Sequence, residues 1–239
     1  MSPENPKSSP RILIMLPCYN EEATIGGLLK EIQEMNSEYD TLVIDDGSQD
    51  QTFQIASALS PCIKLAVNLG IGGAIQTAIK YAYDNGYDFC IQVDGDGQHP
   101  PNQIQVLLEN HEVSSASLVV GSRFIMDNQF QSTPARRVGI KIISKVIKGV
   151  FHFKITDPTS GFRLMDRKAM SLFSKRYPVD FPEPISLAIA LEEDLLIAET
   201  PVVMKARETG VSSIIGLKTI AYMIRVVGYL FLIRIGRHI

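Results

Sequence analysis

Phe89-Cys90-Ile91-Gln92-Val93-Asp94-Gly95-Asp96-Gly97-Gln98-His99-Pro100-Pro101 decides how this 239-residue chain is read. The apolar run Phe89 to Val93 has the length of a buried strand, and two carboxylates follow it at once. Hard divalent cations take oxygen ligands, and Mg²⁺ is usually held by one or two carboxylates plus substrate phosphates. Open α/β sheets bind their ligands at the carboxyl ends of strands. A second acidic pair, Asp45-Asp46-Gly47-Ser48, follows the strand pattern Thr41 to Ile44. Asp and Gly also make plain turns after strands, and either pair alone fits that account. Two acidic strand ends in one α/β region point to a site for a metal-bound diphosphate.

Working outward, the first ~120 residues alternate strand and helix, which predicts a parallel sheet covered on both faces. Strand Arg11 to Leu16 leads to a helix capped by Asn20, with Glu21 and Glu22 in its first turn. That helix has Ile25, Leu28, Leu29, Ile32 and Met35 at helical spacing. A short helix, Thr52 to Leu59, precedes strand Ile63 to Val67. After Asn68-Leu69-Gly70-Ile71-Gly72-Gly73-Ala74, a helix carries Ile75, Ala78, Ile79 and Ala82 and stops at Asn85-Gly86. Pro101 and Asn102 open a further helix, and Leu118 to Gly121 is a strand.

The second half predicts a helix Arg136 to Phe151, with Val138, Ile142, Val146 and Val150 on one side. A loop Asp157 to Arg163, a helix Arg167 to Ser174 and a rigid turn Phe181 to Pro184 follow. Helix Ile185 to Ala198 and strand Pro201 to Lys205 complete this part. There is no internal repeat and no linker that would divide the chain.

Composition limits the function classes. With 45% hydrophobic and 21% charged residues, the chain folds into a globule, and a net charge of −3 argues against nucleic acid as a partner. Cys18, Cys62 and Cys90 lack metal-ligand spacing and read as reduced thiols in a cytoplasmic protein. Residues 1–10 are a polar, proline-rich lead, expected to be disordered, without an apolar stretch of signal-peptide type. Segment 216–239 carries Lys218, Arg225, Arg234 and Arg237 among apolar residues and Tyr222, Tyr229 and Phe231. Its apolar stretch is shorter than the ~20 residues of a membrane span. A helix lying at an anionic membrane surface is expected, with docking onto the domain's own core as the alternative.

The glycines after Asn68 let backbone N–H groups approach an anion, although tight helix packing explains them equally well. The first strand ends in Pro17-Cys18-Tyr19-Asn20-Glu21-Glu22, where a dinucleotide-dependent enzyme needs phosphate-binding glycines. An acidic loop there would repel a pyrophosphate, which argues against an oxidoreductase.

Taken in order, Pro17-Cys-Tyr19-Asn20-Glu21, Asp45-Asp46-Gly-Ser-Gln-Asp50, Asn68-Leu-Gly-Ile-Gly-Gly-Ala, Asp94-Gly-Asp96-Gly-Gln98-His-Pro-Pro and Ser160-Gly161-Phe162-Arg163 resemble the motifs of family 2 glycosyltransferases. The resemblance spans residues 11–215. It implies the GT-A fold, a Rossmann-like, mostly parallel sheet with helices on both faces, here extended by a C-terminal helical segment. A nucleotide-binding half, about 11–122, would precede an acceptor half, about 123–215. A nucleotide-diphosphate sugar donor, Mg²⁺ or Mn²⁺, and inversion at the anomeric carbon are also implied.

Under that resemblance Asp96 ligates the metal, and Asp94 and Gln98 join the metal or ribose shell. Asp45 or Asp46 accepts from base or ribose, while Pro17, Tyr19 and Glu21 line the nucleoside pocket, with Asn68 and Gly72 close to the donor. Arg123 meets the donor diphosphate or an acceptor phosphate, with a surface ion pair as its plain alternative. Arg137, Ser160 and Arg163 fall on the acceptor side.

The family divides over its acceptor. A branch similar to dolichyl-phosphate mannosyltransferase uses a polyprenyl phosphate, already anionic and needing no base. Arg136, Arg137 and Ser144 echo its basic helix start, but Lys141 stands where its serine is expected. Tyr177 to Pro184 and Val203 to Ile214 look more like members associated with bacterial surface polysaccharides. A sugar hydroxyl needs a base within hydrogen-bond reach, and Glu183 between two prolines is the candidate, a plain turn carboxylate being the alternative. The leading expectation is transfer to a saccharide or lipid-linked acceptor at the inner face of the cytoplasmic membrane. A sugar nucleotidyltransferase would instead show a glycine-rich basic loop after strand one. A non-catalytic sugar-nucleotide-binding protein fits poorly with intact Asp94, Asp96, Asp46 and Glu21.

Overall fold

The computed structural model describes residues 9–126, 134–204 and 217–236. The chain begins β1 (Ile12–Cys18), α1 (Ile25–Met35), β2 (Asp40–Asp45), α2 (Thr52–Ser57), β3 (Cys62–Lys64), α3 (Ile71–Asp84) and β4 (Phe89–Gln92). A single 3₁₀ turn, Pro101–Gln103, leads into α4 (Ile104–Ser114) and β5 (Leu118–Ser122). The rest is α5 (Pro134–Phe151), β6 (Arg163–Asp166), α6 (Arg167–Lys175), α7 (Pro182–Glu192), β7 (Ile197–Pro201) and α8 (Leu217–Gly236).

The strands form one seven-stranded sheet in the order β3-β2-β1-β4-β6-β5-β7. All neighbours are parallel except β6, which runs antiparallel between β4 and β5. β1 is buried along its whole length, as a strand covered on both faces must be. One face packs Ile75, Ala78, Ile79 and Ala82 of α3 with Ile143 and Ile147 of α5. The other packs Ile25, Leu28, Leu29 and Ile32 of α1 with Ile104 and Leu107 of α4. The α/β architecture is therefore as expected.

Several local expectations are corrected. Helix α1 starts at Ile25 rather than after Asn20, whose φ is 55° and whose side chain accepts from the Gln49 amide at 2.9 Å. Glu22 likewise accepts from the Gln51 amide at 2.9 Å. These side chains bind the next loop, and so do not serve the helix end. Met35 is exposed. On α5 the buried residues are Ile140, Ile143 and Ile147; of the four apolar residues noted on one side, Val146 packs on the core while Val138 and Ile142 are exposed. Pro182-Glu183-Pro184 is the first turn of α7, where the missing proline N–H groups cost nothing. The last strand is Ile197–Pro201, earlier than expected, because α7 already ends at Glu192. Strand β6 begins at Arg163, so the last residue of the expected loop already pairs in the sheet.

Helix α8 docks on α5 and α7, burying Val226 and Leu230. Arg234 binds Glu192 at 3.0 Å, and the Phe181 ring meets Tyr222 edge-on at 4.7 Å. Docking onto the domain is thus real for one face. The opposite face exposes Ile224, Phe231, Leu232 and Ile235, spaced as one helical stripe. Lys218, Arg237, most of the expected 1–10 lead and residues 205–214 of the surface-polysaccharide stretch are outside the described residues or side chains.

Candidate active site

The acidic end of β4 is built by close packing. The Gly95 amide meets the Pro17 carbonyl at 3.4 Å, and a side chain at Gly95 would lie 2.4 Å from Cys18 Sγ. Only a glycine lets this loop cross the end of β1 so closely. Asp94 Oδ1 accepts from Gln92 Nε2 at 2.9 Å, and the Asp94 amide donates to His99 Nδ1 at 3.1 Å. His99 is buried and stacked on Phe162, centroids 5.0 Å apart, so it braces the loop from below. Accepting at Nδ1 leaves its Nε2 carrying the proton, 3.9 Å from Asp94 Oδ2. Asp96 Oδ1 accepts from the Gln98 amide at 3.1 Å, and Gly97 turns the chain with φ 72°. The Asp94 side chain is 34% exposed, and Asp96 and Gln98 are partly exposed as well.

The donor set of Asp94, Asp96 and Gln98 is hard oxygen, which suits Mg²⁺ or Mn²⁺. Among the described residues no group of three or more His, Cys, Asp or Glu side chains forms a protein-only metal cage. Two carboxylates that leave coordination positions for substrate phosphates fit a cation shared with a diphosphate.

The ends of β1 and β2 are stitched together beside this loop. The Asn20 amide donates to Ser48 Oγ at 2.9 Å and the Glu21 amide to Thr52 Oγ1 at 2.8 Å. Asp46 Oδ1 accepts from the Leu69 amide at 2.7 Å and so fixes the start of α3. Asp45 is fully buried; its Oδ1 accepts from the Ser48 amide at 3.2 Å. Among the described residues its Oδ2 has no hydrogen bond, and Lys64 Nζ lies 3.9 Å away. Tyr19, 44% exposed, stands at the rim, Pro17 is buried beneath, and Asn68 caps Gly70 N at 3.1 Å. Gly72 is buried, and a side chain there would come within 2.3 Å of the Pro178 carbonyl. Its glycine serves the packing of α3 against residues 178 and 179. Burial holds the thiol of Cys18 well above its ordinary range, which leaves it no nucleophilic role.

The third wall comes from the second half. Arg123 is buried and clamps Asp157 with two bonds, Nε to Oδ2 at 2.6 Å and Nη2 to Oδ1 at 2.8 Å. Burial alone would weaken its charge, but the Asp157 carboxylate outweighs it and raises the guanidinium above its usual range. A surface ion pair is therefore excluded. Asp94 and Glu183 both lie within electrostatic reach of Arg123. Gly161 presses on Asp94: a side chain there would lie 2.9 Å from Asp94 Oδ2.

Ser160 and Arg163 were expected on the acceptor, and the structure places both beneath the surface. Ser160 Oγ accepts from the Phe162 amide at 3.3 Å. Arg163 donates to the carbonyls of Ser160, Pro158 and Glu183 and to Ser186 Oγ. It welds loop 157–162 to the first turn of α7 and positions Glu183 indirectly. Arg137 is exposed on α5. Burial raises the Glu183 carboxyl above the ordinary range against the pull of Arg163, with Asp94 adding to the rise. Tyr177, also held protonated by burial, sits in the same cluster.

The structure thus gathers Asp94, Asp96, Gln98, Asp45, Asp46, Glu21, Tyr19, Arg123 and Glu183 at the carboxyl end of the parallel strands. Sequence reasoning missed Asp157 and Glu199, whose partners are remote in the chain, and His99, which binds the Asp94 amide five residues away and stacks on the distant Phe162. An Asp before Pro158 and a lone Glu in a strand carry no local signal of such pairing.

Residues 13–173 match the family model described as glycosyl transferase family 2. The chain is 31% identical over 216 residues to UDP-N-acetylglucosamine–dolichyl-phosphate N-acetylglucosaminyltransferase of Methanococcus voltae, covering 80% of this chain and 84% of that one. It is 25% identical over 234 residues to polyprenol monophosphomannose synthase of Mycolicibacterium smegmatis, covering 90% and 84%. Among solved structures, glucosyl-3-phosphoglycerate synthase of Mycobacterium tuberculosis, in complex with Mn²⁺, UDP and glucosyl-3-phosphoglycerate, superposes with a TM-score of 0.72 at 20% identity. That match covers 95% of this chain and 80% of the other, and it establishes a shared fold.

Proposed function

The chain belongs to glycosyl transferase family 2, and from that premise we propose that it transfers a sugar from a nucleotide diphosphate onto the phosphate of a polyprenyl lipid. The observation that carries this reading is the pair Asp94 and Asp96 at the end of β4, partly exposed, with Arg123 fixed in electrostatic reach of Asp94. Asp94, Asp96 and Gln98 would hold Mg²⁺ or Mn²⁺, which neutralises charge on the departing diphosphate. Asp46, at the end of β2, would accept from a base N–H or ribose hydroxyl, with the fully buried Asp45 bracing the loop behind it through the Ser48 amide. Tyr19 and Glu21 border the nucleoside. Arg123 offers a guanidinium whose plane Asp157 has set, suited to a phosphate oxygen.

Relatives named for dolichyl-phosphate and polyprenol acceptors support the lipid phosphate. An ionised phosphate attacks without surrendering a proton. The exposed stripe of α8, with the exposed Arg225 on the same helix, supports contact with an anionic bilayer. Among the described residues no helix is long and apolar enough to cross a membrane.

A second reading, a sugar hydroxyl acceptor with Glu183 as base, is favoured by the raised Glu183 carboxyl in reach of Asp94. Purified protein with Mn²⁺, a panel of sugar nucleotides, and either undecaprenyl phosphate in detergent or oligosaccharides separates the two. Metal-dependent nucleotide release, accelerated by the lipid phosphate and lost in Asp96→Asn, is expected. Wild-type turnover by Asp96→Asn would refute the metal site, and acceleration by saccharides alone would refute the lipid acceptor.

A further inference from the structure

Glu199 lies on β7, opposite Val120 of β5, and its carboxylate points at the loop that carries Asp157. Oε1 accepts from the Asp157 amide at 2.7 Å, from Thr156 Oγ1 at 2.8 Å and from the Thr156 amide at 3.0 Å. Oε2 accepts from the Thr156 amide at 2.8 Å. One side chain therefore satisfies two successive backbone N–H groups and a hydroxyl. An ionised carboxylate accepts on both oxygens and donates nothing, so it suits a ring made only of donors.

What this ring fixes is the end of β5. Thr156 Oγ1 also meets Ser122 Oγ at 2.7 Å, and Ser122 Oγ accepts from the Phe124 amide at 3.2 Å. Asp157 accepts from the Arg123 amide at 3.3 Å as well as from its guanidinium, and Arg123 Nη2 reaches Thr159 Oγ1 at 3.0 Å. Main chain and side chain of Arg123 are thus both referred to residues 156–159, and Glu199 holds 156 and 157. We propose that Glu199 is a positioning residue for transfer: it sets the Thr156–Asp157 peptide so that Asp157 holds the Arg123 guanidinium at the phosphate-binding edge beside Asp94. This rests on the reading of Arg123 as a phosphate contact.

A simpler function for Glu199, holding a loop shut for stability alone, predicts a different thermodynamic signature. A group acting through Arg123 loses its effect once Arg123 is gone, whereas a purely structural group costs the same factor in either background. The test is a double-mutant cycle on kcat/KM, with the donor and acceptor selected by the panel above and thermal midpoints taken in parallel. Glu199→Gln keeps the volume but sets an NH₂ against a backbone donor. It is expected to lower kcat/KM about tenfold, within the loss that sub-ångström misplacement of a contact produces. Arg123→Ala is expected to cost about 10²–10³-fold, the usual cost of one lost oxyanion donor. Because that variant leaves Asp157 buried and unpaired, Arg123→Lys replaces it wherever Arg123→Ala does not fold. In either Arg123 background Glu199→Gln should change kcat/KM less than twofold. An equal tenfold loss in both backgrounds, or wild-type kcat/KM in Glu199→Gln, overturns the positioning role while leaving Arg123 as read. Wild-type kcat/KM in the Arg123 variants overturns the reading of Arg123, and the proposal with it.

Discussion

Substituting Gly161 by Ala tests the site where its walls meet. The added Cβ would lie 2.8 Å from Gln92 Nε2 and 2.9 and 3.1 Å from the two Asp94 oxygens. Ordinary contact begins near 3.4 Å, so the carboxylate must withdraw by about 0.5 Å, which is 3.4 − 2.9. Gly161 is not among the positive-φ residues, so alanine strains no backbone. The retreat cannot be absorbed in the loop, because Phe162 is buried against His99 and Arg163 is tied by four hydrogen bonds. Overpacking of this kind costs ~1–3 kcal/mol of stability, and half an ångström at a metal-binding carboxylate should cost about tenfold or more in rate. The assays are thermal unfolding, calorimetric titration of UDP with and without Mn²⁺, and single-turnover transfer. The expected result is a folded protein with weakened Mn²⁺-dependent nucleotide binding and slowed transfer. Wild-type Mn²⁺-dependent binding and rate in Gly161→Ala would show that Asp94 does not act from its observed position.

Glu183→Gln separates the acceptor classes: a lipid phosphate predicts a nearly unchanged rate, a sugar hydroxyl a loss of ~10²–10⁴-fold. Burial raises the Glu183 carboxyl, so its contribution to stability is present below the ordinary Glu range and lost as pH rises through its folded value. The Gln variant should accordingly gain stability relative to wild type as pH rises above the ordinary Glu range; a pH-independent difference in chemical denaturation would contradict this. Ile224→Glu with Leu232→Glu should weaken sedimentation with phosphatidylglycerol vesicles at least tenfold, since each buried side chain is worth ~1.5–3 kcal/mol. Their thermal midpoint should not move, because both are exposed, and unchanged sedimentation would remove α8 from the membrane contact.

The parallel half of the fold was legible because each of its signals is local. Apolar runs of strand length, helical spacing at Ile75, Ala78, Ile79 and Ala82, and acidic turns after β2 and β4 lie within a few residues of one another. What escaped depended on partners far along the chain. Asn20 reads as a helix cap, but its side chain serves Gln49, twenty-nine positions on. The arginine of Ser160-Gly161-Phe162-Arg163 reads as an acceptor-side residue, but its guanidinium is taken up by carbonyls and Ser186. The glycines after Asn68 read equally as an anion approach or as tight packing, and what the missing side chain of Gly72 makes room for, the backbone of residues 178 and 179, lies over a hundred positions on. The buried face of α5 was not selected by spacing, because valine and isoleucine occur on both its inner and outer sides.

One topological feature then accounts for how the site is assembled. In a wholly parallel sheet, the loop before each strand lies at the opposite edge from the ligand. β6 runs antiparallel between β4 and β5, so its beginning lies level with their ends, Gln92 opposite Arg163 and Val120 opposite Arg163. Loop 157–162, which precedes β6, is therefore delivered to the edge that carries Asp94 and Arg123. From that one reversal follow the contact of Gly161 with Asp94, the clamp of Asp157 on Arg123 and the seat of Glu183 above Arg163. The acidic motif in the first half and the arginine motif in the second are remote in sequence, and β6 places them within a few ångströms. A parallel β6 of identical composition would leave Asp94 and Asp96 at an open edge, with neither a third wall nor a fixed cation beside them.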